Sequence, residues 1–168
     1  STGRAYIFYN DGSIPTTAGT ADVTITGEAT ANRFGYSLGV ADFNSDGTKD
    51  LVVGTYGYST NTGRTYIFYN DGSIPTTAGT ADVTITGEAT NSQFGLTMAL
   101  CDFNGDGRTD LAVGAPQYST NTGRTYIFYN DGSIPTTAGT ADVIITGEAT
   151  AYGLGMALVS GDFNSDGG

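Results

Sequence analysis

The sequence contains no histidine, no tryptophan and a single cysteine among its 168 residues. Histidine is the commonest general base and transition-metal ligand, so its absence removes the usual catalytic and zinc-binding chemistry. A single cysteine cannot form an intramolecular disulfide. Its counterparts in the repeats described below are Ala41 and Gly161, so we interpret Cys101 as a small packed residue rather than a reactive thiol.

Basic residues are also scarce. Six Lys and Arg side chains face 17 Asp and Glu side chains, which gives a net charge of −11. Such an acidic surface repels phosphate backbones and anionic lipid, so we expect no nucleic-acid partner and no membrane insertion. No apolar run reaches the roughly 18 residues of a spanning helix, and no signal peptide opens the sequence. If the protein is secreted, we expect its leader to have been removed.

One long sequence occurs three times in the chain. The run that reads R-[A/T]-Y-I-F-Y-N-D-G-S-I-P begins at Arg4, Arg64 and Arg124, a spacing of 60 residues. A period of this length indicates one supersecondary unit per repeat, and such a unit cannot bury its apolar faces without a neighbour. The function must therefore be sought in the array of repeats.

Four segments of each repeat have the patterns of β-strands. Residues 34–40 alternate large and small side chains, as an inner strand in a crowded centre requires. Residues 51–54 and 6–9 are apolar on both faces, which predicts strands that are covered on both sides. Residues 23–26 alternate apolar side chains with threonine, as expected of a half-exposed edge strand. The Asn-Asp-Gly sequence at 10–12 predicts a hairpin turn.

These patterns predict an all-β fold, a β-propeller of four-stranded antiparallel blades built from 60-residue repeats. A parallel β-helix is the main alternative, but its repeats are usually shorter and it lacks hairpin turns. The whole chain, 1–168, is read as one array of about three blade equivalents, fewer than the four to eight of closed propellers. We therefore expect an incomplete propeller, either a fragment of a longer repetitive chain or a unit of which several copies assemble. The expected parts are an outer half-blade at 1–30, blades at 31–90 and 91–150, and an inner strand with a partial calcium loop at 151–168.

An acidic loop follows the first strand of each repeat. Carboxylate or amide side chains occupy loop positions one, three, five and nine, with glycine at six and a backbone carbonyl available at seven. Calcium is favoured over magnesium because the ligands are numerous, all oxygen and carried on a flexible loop. An ordinary Asn- and Gly-rich turn is the alternative. The candidate ligands are Asp42, Asn44, Asp46, Thr48 and Asp50 in the first loop, Asp102, Asn104, Asp106, Arg108 and Asp110 in the second, and Asp162, Asn164 and Asp166 in the third, which stops before position nine.

Together these motifs resemble the FG-GAP repeat of integrin α-subunit propellers. The resemblance rests on the Phe-Gly pairs at 34–35 and 94–95, on the acidic loops, and on the sequence Val-Gly-Ala-Pro at 113–116. Leu154 replaces the phenylalanine in the third copy, and Gly-Thr-Tyr at 54–56 replaces Gly-Ala-Pro in the first. The family implies a propeller of about seven blades, calcium in some of the loops and an extracellular setting. Its members include adhesion receptors, fungal lectins and accessory domains of secreted enzymes.

We therefore expect an extracellular or cell-surface calcium-binding propeller that acts in adhesion or structural self-assembly. Its expected partner is itself, as a homo-oligomer or as further repeats, with a glycan or a cell-surface protein as further candidates. The alternative function is a lectin with multivalent sites at the blade rims, where the tyrosines could stack on sugars; inter-blade packing explains these tyrosines equally well. They are Tyr56, Tyr58, Tyr118 and Tyr152.

Catalysis has little support in the sequence. An enzyme without histidine would have to use carboxylates alone, as glycosidases do. The only glutamates, Glu28, Glu88 and Glu148, occupy the same Thr-Gly-Glu-Ala-Thr turn in each repeat. Repetition of one residue in one turn favours a structural role over a unique active site, so we predict that the protein is not an enzyme.

Overall fold

The structure, a computed structural model, describes residues 2–161. These residues form β-strands joined by loops and short helical turns, which confirms the predicted all-β fold. The strands are β1 (Arg4–Ile7), β2 (Val23–Thr26), β3 (Ser37–Ala41), β4 (Asp50–Thr55), β5 (Arg64–Phe68), β6 (Val83–Thr86), β7 (Thr97–Cys101), β8 (Asp110–Ala115), β9 (Arg124–Phe128) and β10 (Val143–Thr146). The short turns are α1 (Tyr58–Asn61) and α2 (Tyr118–Asn121), whose middle residues have positive φ angles, and three 3₁₀ turns at Ala18–Thr20, Ala78–Thr80 and Ala138–Thr140.

The strands make three antiparallel sheets. Strands β1 and β2 pair with each other, and the two larger sheets have the orders β3-β4-β5-β6 and β7-β8-β9-β10. Every residue of β4 and of β8 is buried, as expected of second strands whose side chains are apolar on both faces. Two four-stranded sheets and one outer pair are the blades of an incomplete propeller, as the repeat pattern predicted.

The inner strands of adjacent blades pack closely against each other. A Cβ atom at Gly39 of β3 would lie 2.7 Å from Leu100 Cδ1 and 3.2 Å from Met98 Sδ on β7. The small face of one inner strand therefore receives the large side chains of the next, which is the close approach that the alternation predicted. The hydroxyl of Ser37 also donates a hydrogen bond of 2.8 Å to the carbonyl of Gly95.

Aromatic side chains fill the core of each complete blade. Phe94, the phenylalanine of the second Phe-Gly pair, is fully buried. Its ring meets those of Tyr126 and Phe128 edge-on, with centroids 5.5 and 6.2 Å away. Burial of one such side chain contributes about 1.5–3 kcal/mol. Phe34 makes the same edge-on contact with Tyr66 at 5.6 Å in the preceding blade.

The inner strands begin three residues later than the alternation predicted. Arg33 and Gly35 have φ angles of 64° and 85°, so the backbone around Phe34 is a turn and β3 starts only at Ser37. Phe34 instead forms a single parallel bridge with Gly3, the residue before β1. The Phe-Gly pair is thus a point of contact between blades rather than the first part of a strand.

The third strands also differ from their predicted limits. Strand β1 ends at Ile7, and β5 ends at Phe68, because the next backbone N–H, that of Tyr69, donates to the carboxylate of Asp82 at 2.8 Å. Strands β5 and β6 do pair antiparallel. Their connection is a long loop from 69 to 82, whereas the sequence suggested a tight hairpin turn at the Asn-Asp-Gly segment.

The last described residues contain less regular structure than the two blades. Leu154 forms one bridge with Gly123, and residues 157–161, the counterparts of β3 and β7, form no strand. Strands β3 and β7 depend on hydrogen bonds from β4 and β8, and the part of the chain that is described has no equivalent neighbour for 157–161. Within residues 2–161, no helix is long and apolar enough to cross a membrane.

Candidate cation-binding loops

The aspartate at position nine of each acidic loop is a buried anchor. Asp50, the first residue of β4, is fully buried. Its Oδ2 accepts the backbone N–H of Phe43 at 2.7 Å, and its Oδ1 accepts that of Asn70 at 2.8 Å. Asp110 makes the equivalent two bonds in the second loop, at 2.9 and 2.8 Å. Each anchor therefore ties the start of its loop to the turn that follows the third strand of the same blade.

The earlier side chains of the loop bind backbone N–H groups of the loop itself. Asp42 accepts the N–H of Gly47 at 3.0 Å and that of Asp46 at 3.2 Å, and Asn44 Oδ1 also accepts the latter at 3.1 Å. Asp46 Oδ1 accepts the N–H of Thr48 at 2.7 Å. These bonds close the loop, which explains why its oxygen-bearing residues are spaced two apart.

Two of the loop carboxyl groups have a lowered pKa. The hydroxyl and then the backbone N–H of Thr48 stabilise the ionised form of Asp46 and lower its pKa. In the second loop, the backbone N–H of Gly107 has the largest part in lowering the pKa of Asp102. Among the described residues, no Lys or Arg forms an ion pair with a loop carboxylate. The loops therefore keep negative charge that the protein does not neutralise by pairing.

The two loops differ at position four. Ser45 has a φ angle of 61°, a left-handed conformation that costs an L residue about 1 kcal/mol, whereas Gly105 reaches 77° without a side chain. The N–H of Gly105 also donates to Asp102 Oδ1 at 2.7 Å. The second loop is consequently less strained than the first at this position.

The first loop also contacts the next blade. The side-chain amide of Asn130 donates to the carbonyl of Phe43 at 2.7 Å, and both residues are buried. Within each blade, the residue at loop position seven also donates to the turn after the third strand. Thr48 donates to the carbonyl of Asn70 at 2.8 Å, and Arg108 donates to that of Asn130 at 3.3 Å. The loop conformation is therefore coupled to the packing of one blade against another.

All candidate donors in the two described loops are oxygen atoms, which is the set that a hard cation prefers. Across residues 2–161, no group of three or more Asp, Glu, His or Cys side chains is placed to hold a metal ion. Asp42 and Asp46 share the exposed turn of the loop, while Asp50 is bound to backbone N–H groups beneath it. The third set, Asp162, Asn164 and Asp166, lies outside the described residues.

The repeated glutamates join neighbouring blades. Glu28 Oε2 accepts the guanidinium of Arg64 at 3.1 Å and the hydroxyl of Tyr66 at 3.1 Å. Burial and the negative charge of Glu28 raise the pKa of the Tyr66 hydroxyl above its ordinary value. We call this contact the outer joint. The second outer joint repeats it with Glu88, Arg124 and Tyr126, at 2.7 and 2.9 Å.

The sequence predicted a structural turn at these glutamates but did not indicate their partners. The interval of 36 residues between glutamate and arginine is the same in both pairs, but in a 60-residue repeat any two positions recur at a constant interval, so it does not single out this pairing. Both glutamates are committed to packing rather than to an active site, which agrees with the structural role expected of them.

The rim tyrosines are largely engaged in packing as well. Tyr58 and Tyr118 cover the guanidinium groups of Arg64 and Arg124, with 3.6 and 3.8 Å from each Cζ to the ring centroid. Tyr56 meets another tyrosine ring edge-on at 4.6 Å. Tyr152, by contrast, is 71% exposed. Three of the four residues proposed to stack on sugars thus have partners within the protein.

The FG-GAP repeat model matches residues 34–68 and 94–128. Each matched segment begins at the buried phenylalanine of a Phe-Gly pair, contains one acidic loop and ends with a third strand. The chain is an FG-GAP repeat protein. The matched segments leave out Leu154, the position at which the third copy departs from the pattern.

Curated relatives of this FG-GAP protein include an enzyme and two integrins. Phosphatidylinositol-glycan-specific phospholipase D of Bos taurus is 35% identical over 153 residues, covering 80% of this chain and 17% of that protein. Integrin alpha-7 of Homo sapiens is 35% identical over 151 residues, covering 87% and 12%. Integrin alpha-5 of Xenopus laevis is 32% identical over 151 residues, covering 80% and 13%. The chain thus spans less than a fifth of each of these relatives, and repeats shared by a phospholipase and by integrins do not themselves imply catalysis.

Proposed function

We propose that this chain is an extracellular calcium-binding propeller module that acts by binding, in adhesion or structural assembly, and not by catalysis. The observation that carries the proposal is the pair of closed, all-oxygen loops whose carboxylates have no basic partner among the described residues. The integrin relatives support an adhesive role at the cell surface. The absence of histidine and the use of Glu28 and Glu88 in outer joints support a non-catalytic one.

Calcium would be held by oxygens that already organise the loops. In the first loop these are the side chains of Asp42, Asn44 and Asp46 with the backbone carbonyl of Thr48. Each carboxylate oxygen has two lone pairs, so a buried anchor such as Asp50 can accept an N–H and still coordinate an ion. The equivalent set in the second loop is Asp102, Asn104, Asp106, Arg108 and Asp110. The ion would supply the positive charge that these loops lack. At the third loop, with Asp162, Asn164 and Asp166, we propose weaker binding.

Calcium should raise the free energy of unfolding, because it binds the closed loop of the folded state. With calcium a hundredfold above the dissociation constant, each occupied site adds about 2.7 kcal/mol. Urea unfolding with calcium and with a chelator measures this gain. Asp46→Ala and Asp106→Ala should each remove the stability that calcium adds at one loop.

Asp71→Ala is the matched control, because Asp71 is exposed and belongs to a turn outside the loops. This variant should keep the whole calcium effect. Equal unfolding midpoints in calcium and in chelator would show that the loops are ordinary turns, and an equal gain with magnesium would show that the site does not select calcium.

A lectin is the second candidate, and the exposed ring of Tyr152 is the observation that favours it. An exposed aromatic face can stack on a sugar. A glycan array with Tyr152→Ala as the comparison separates the two functions, since a lectin loses saturable, sugar-competed binding in the variant. Binding that is absent in both proteins rules out the lectin function.

A further inference from the structure

The structure makes the same junction between repeats twice. Beside the first outer joint, the backbone N–H of Thr26 donates to the carbonyl of Thr76 at 2.9 Å. Beside the second, Thr86 donates to Thr136 at the same distance. The fourth strand of each blade therefore pairs with the loop that follows the third strand of the next blade. This repetition defines what a further junction would require on each side.

The last four-stranded sheet presents one half of such a junction. Ile145 of β10 is 46% exposed, whereas its counterparts Ile25 and Ile85 are fully buried. Glu148, the counterpart of Glu28 and Glu88, is exposed and has no ion-pair partner within residues 2–161. We call the face formed by Ile145, Thr146 and Glu148 the β10 face.

The first sheet presents the complementary half. Tyr6 is 36% exposed, whereas its counterpart Tyr66 is 1% exposed. Arg4 is exposed and, in the described part of the chain, forms no ion pair, although the equivalent arginines Arg64 and Arg124 both do. Ala18 is exposed, while the same position in the next two repeats is buried. We call the face formed by Arg4, Tyr6, Thr16 and Ala18 the β1 face.

We propose that the β10 face of one copy binds the β1 face of a second copy through a third outer joint. In this joint Glu148 accepts the guanidinium of Arg4 and the hydroxyl of Tyr6 from the other copy, and the N–H of Thr146 donates to the carbonyl of Thr16. The proposal deepens the assembly part of the proposed function and rests on it. The partner is a second copy of this chain, and the contact is head to tail.

Three observations support a second copy as the occupant. The residue types on the two faces are those that already form both internal junctions. The charges are complementary, since Glu148 is acidic and Arg4 is basic. The apolar side chains that are exposed on these faces, Ile145 and Tyr6, are the ones that the internal junctions bury. A head-to-tail contact does not close on itself by a twofold axis, so it produces chains or rings of copies.

Charge reversal tests the joint without depending on loss of folding. Arg4→Glu places two acids at every joint and Glu148→Arg places two arginines there, so each variant alone should associate about tenfold more weakly or worse in sedimentation. A mixture of R4E and E148R restores opposite charges at the joints between unlike copies. Association in the mixture should therefore return to that of the unmodified chain.

Asp131→Arg is the matched control, because it changes the net charge as Glu148→Arg does but lies in an exposed turn away from both faces. It should associate like the unmodified chain. The proposal is overturned if the unmodified chain stays monomeric at high concentration, or if mixing the two variants restores nothing. The calcium-dependent stability of each variant is measured in parallel. If the joint fails this test but calcium still stabilises the protein, only the joint is wrong. If association follows the charges but calcium has no effect on stability, only the calcium proposal is wrong.

Discussion

The acidic loops and the outer joints use carboxylates in opposite ways. In the outer joints Glu28 and Glu88 meet an arginine and a tyrosine hydroxyl, so their charge is neutralised where two blades touch. In the loops, Asp42 and Asp46 accept only N–H and hydroxyl groups from the described residues, and no Lys or Arg among those residues neutralises their charge. The outer-joint glutamates thus hold neighbouring blades together, whereas the loop aspartates are the residues that we propose as cation ligands.

The largest effect is expected for the buried anchor of a loop. Asp50→Ala removes the acceptor of the backbone N–H groups of Phe43 and Asn70 and should lower the free energy of unfolding by about 3 kcal/mol or more. Asp46→Ala in the same loop is the control, and without calcium it should cost far less than Asp50→Ala because Asp46 is exposed. Urea unfolding in chelator measures both. Equal losses would mean that the loop does not divide into an anchor and exposed ligands.

An intermediate effect is expected at the outer joint. Glu88→Ala leaves the hydroxyl of the buried Tyr126 without its acceptor and should cost about 1–2 kcal/mol. The ion pair adds little to this, since the Glu88 side chain is 33% exposed. Glu148→Ala, in the same turn of the last repeat, should change stability by no more than about 0.5 kcal/mol in a dilute solution of monomers. A large loss in Glu148→Ala would show that the glutamate acts through its own turn and not through the joint.

The smallest effect is expected from acid. The pKa of Asp46 is lowered in the folded state, so its hydrogen bonds stabilise the fold above the ordinary aspartate value of 3.8 and this contribution is lost as the pH falls below it. The same holds for Asp102. Asp46→Asn should flatten the fall in unfolding midpoint between pH 5 and pH 3 measured in chelator. An unchanged acid profile would assign that fall to other carboxylates.

Much of the fold followed from periodicity, and the departures have local causes. The fourth strand at 23–26 was predicted to the residue, and the burial of β4 on both faces followed from its unbroken apolar sequence. The start of β3 was predicted too early because alternation does not report φ, and Gly35 turns the chain there. The end of β5 was missed because it depends on the side chain of Asp82, which lies in a later loop.

The residues of the candidate site could be predicted from the sequence, but their different roles could not. Spacing identified Asp42, Asp46 and Asp50 as equal ligands of one loop. Only the fold shows that Asp50 is buried at the start of β4, since burial depends on the neighbouring strands. The outer joints were missed for the same reason: Glu28 and Arg64 belong to different repeats, and no local pattern brings them together.

Both outer joints use the same residue types at the same repeat positions, so consecutive blades meet through the same contact. A gene segment encoding 60 residues can therefore be duplicated or lost in frame, and the blades on either side of the change still match. Such an array can vary in length during evolution without having to invent a new interface. The near-identity of the outer strands in all three repeats is what this mode of growth preserves, while the inner strands remain free to diverge.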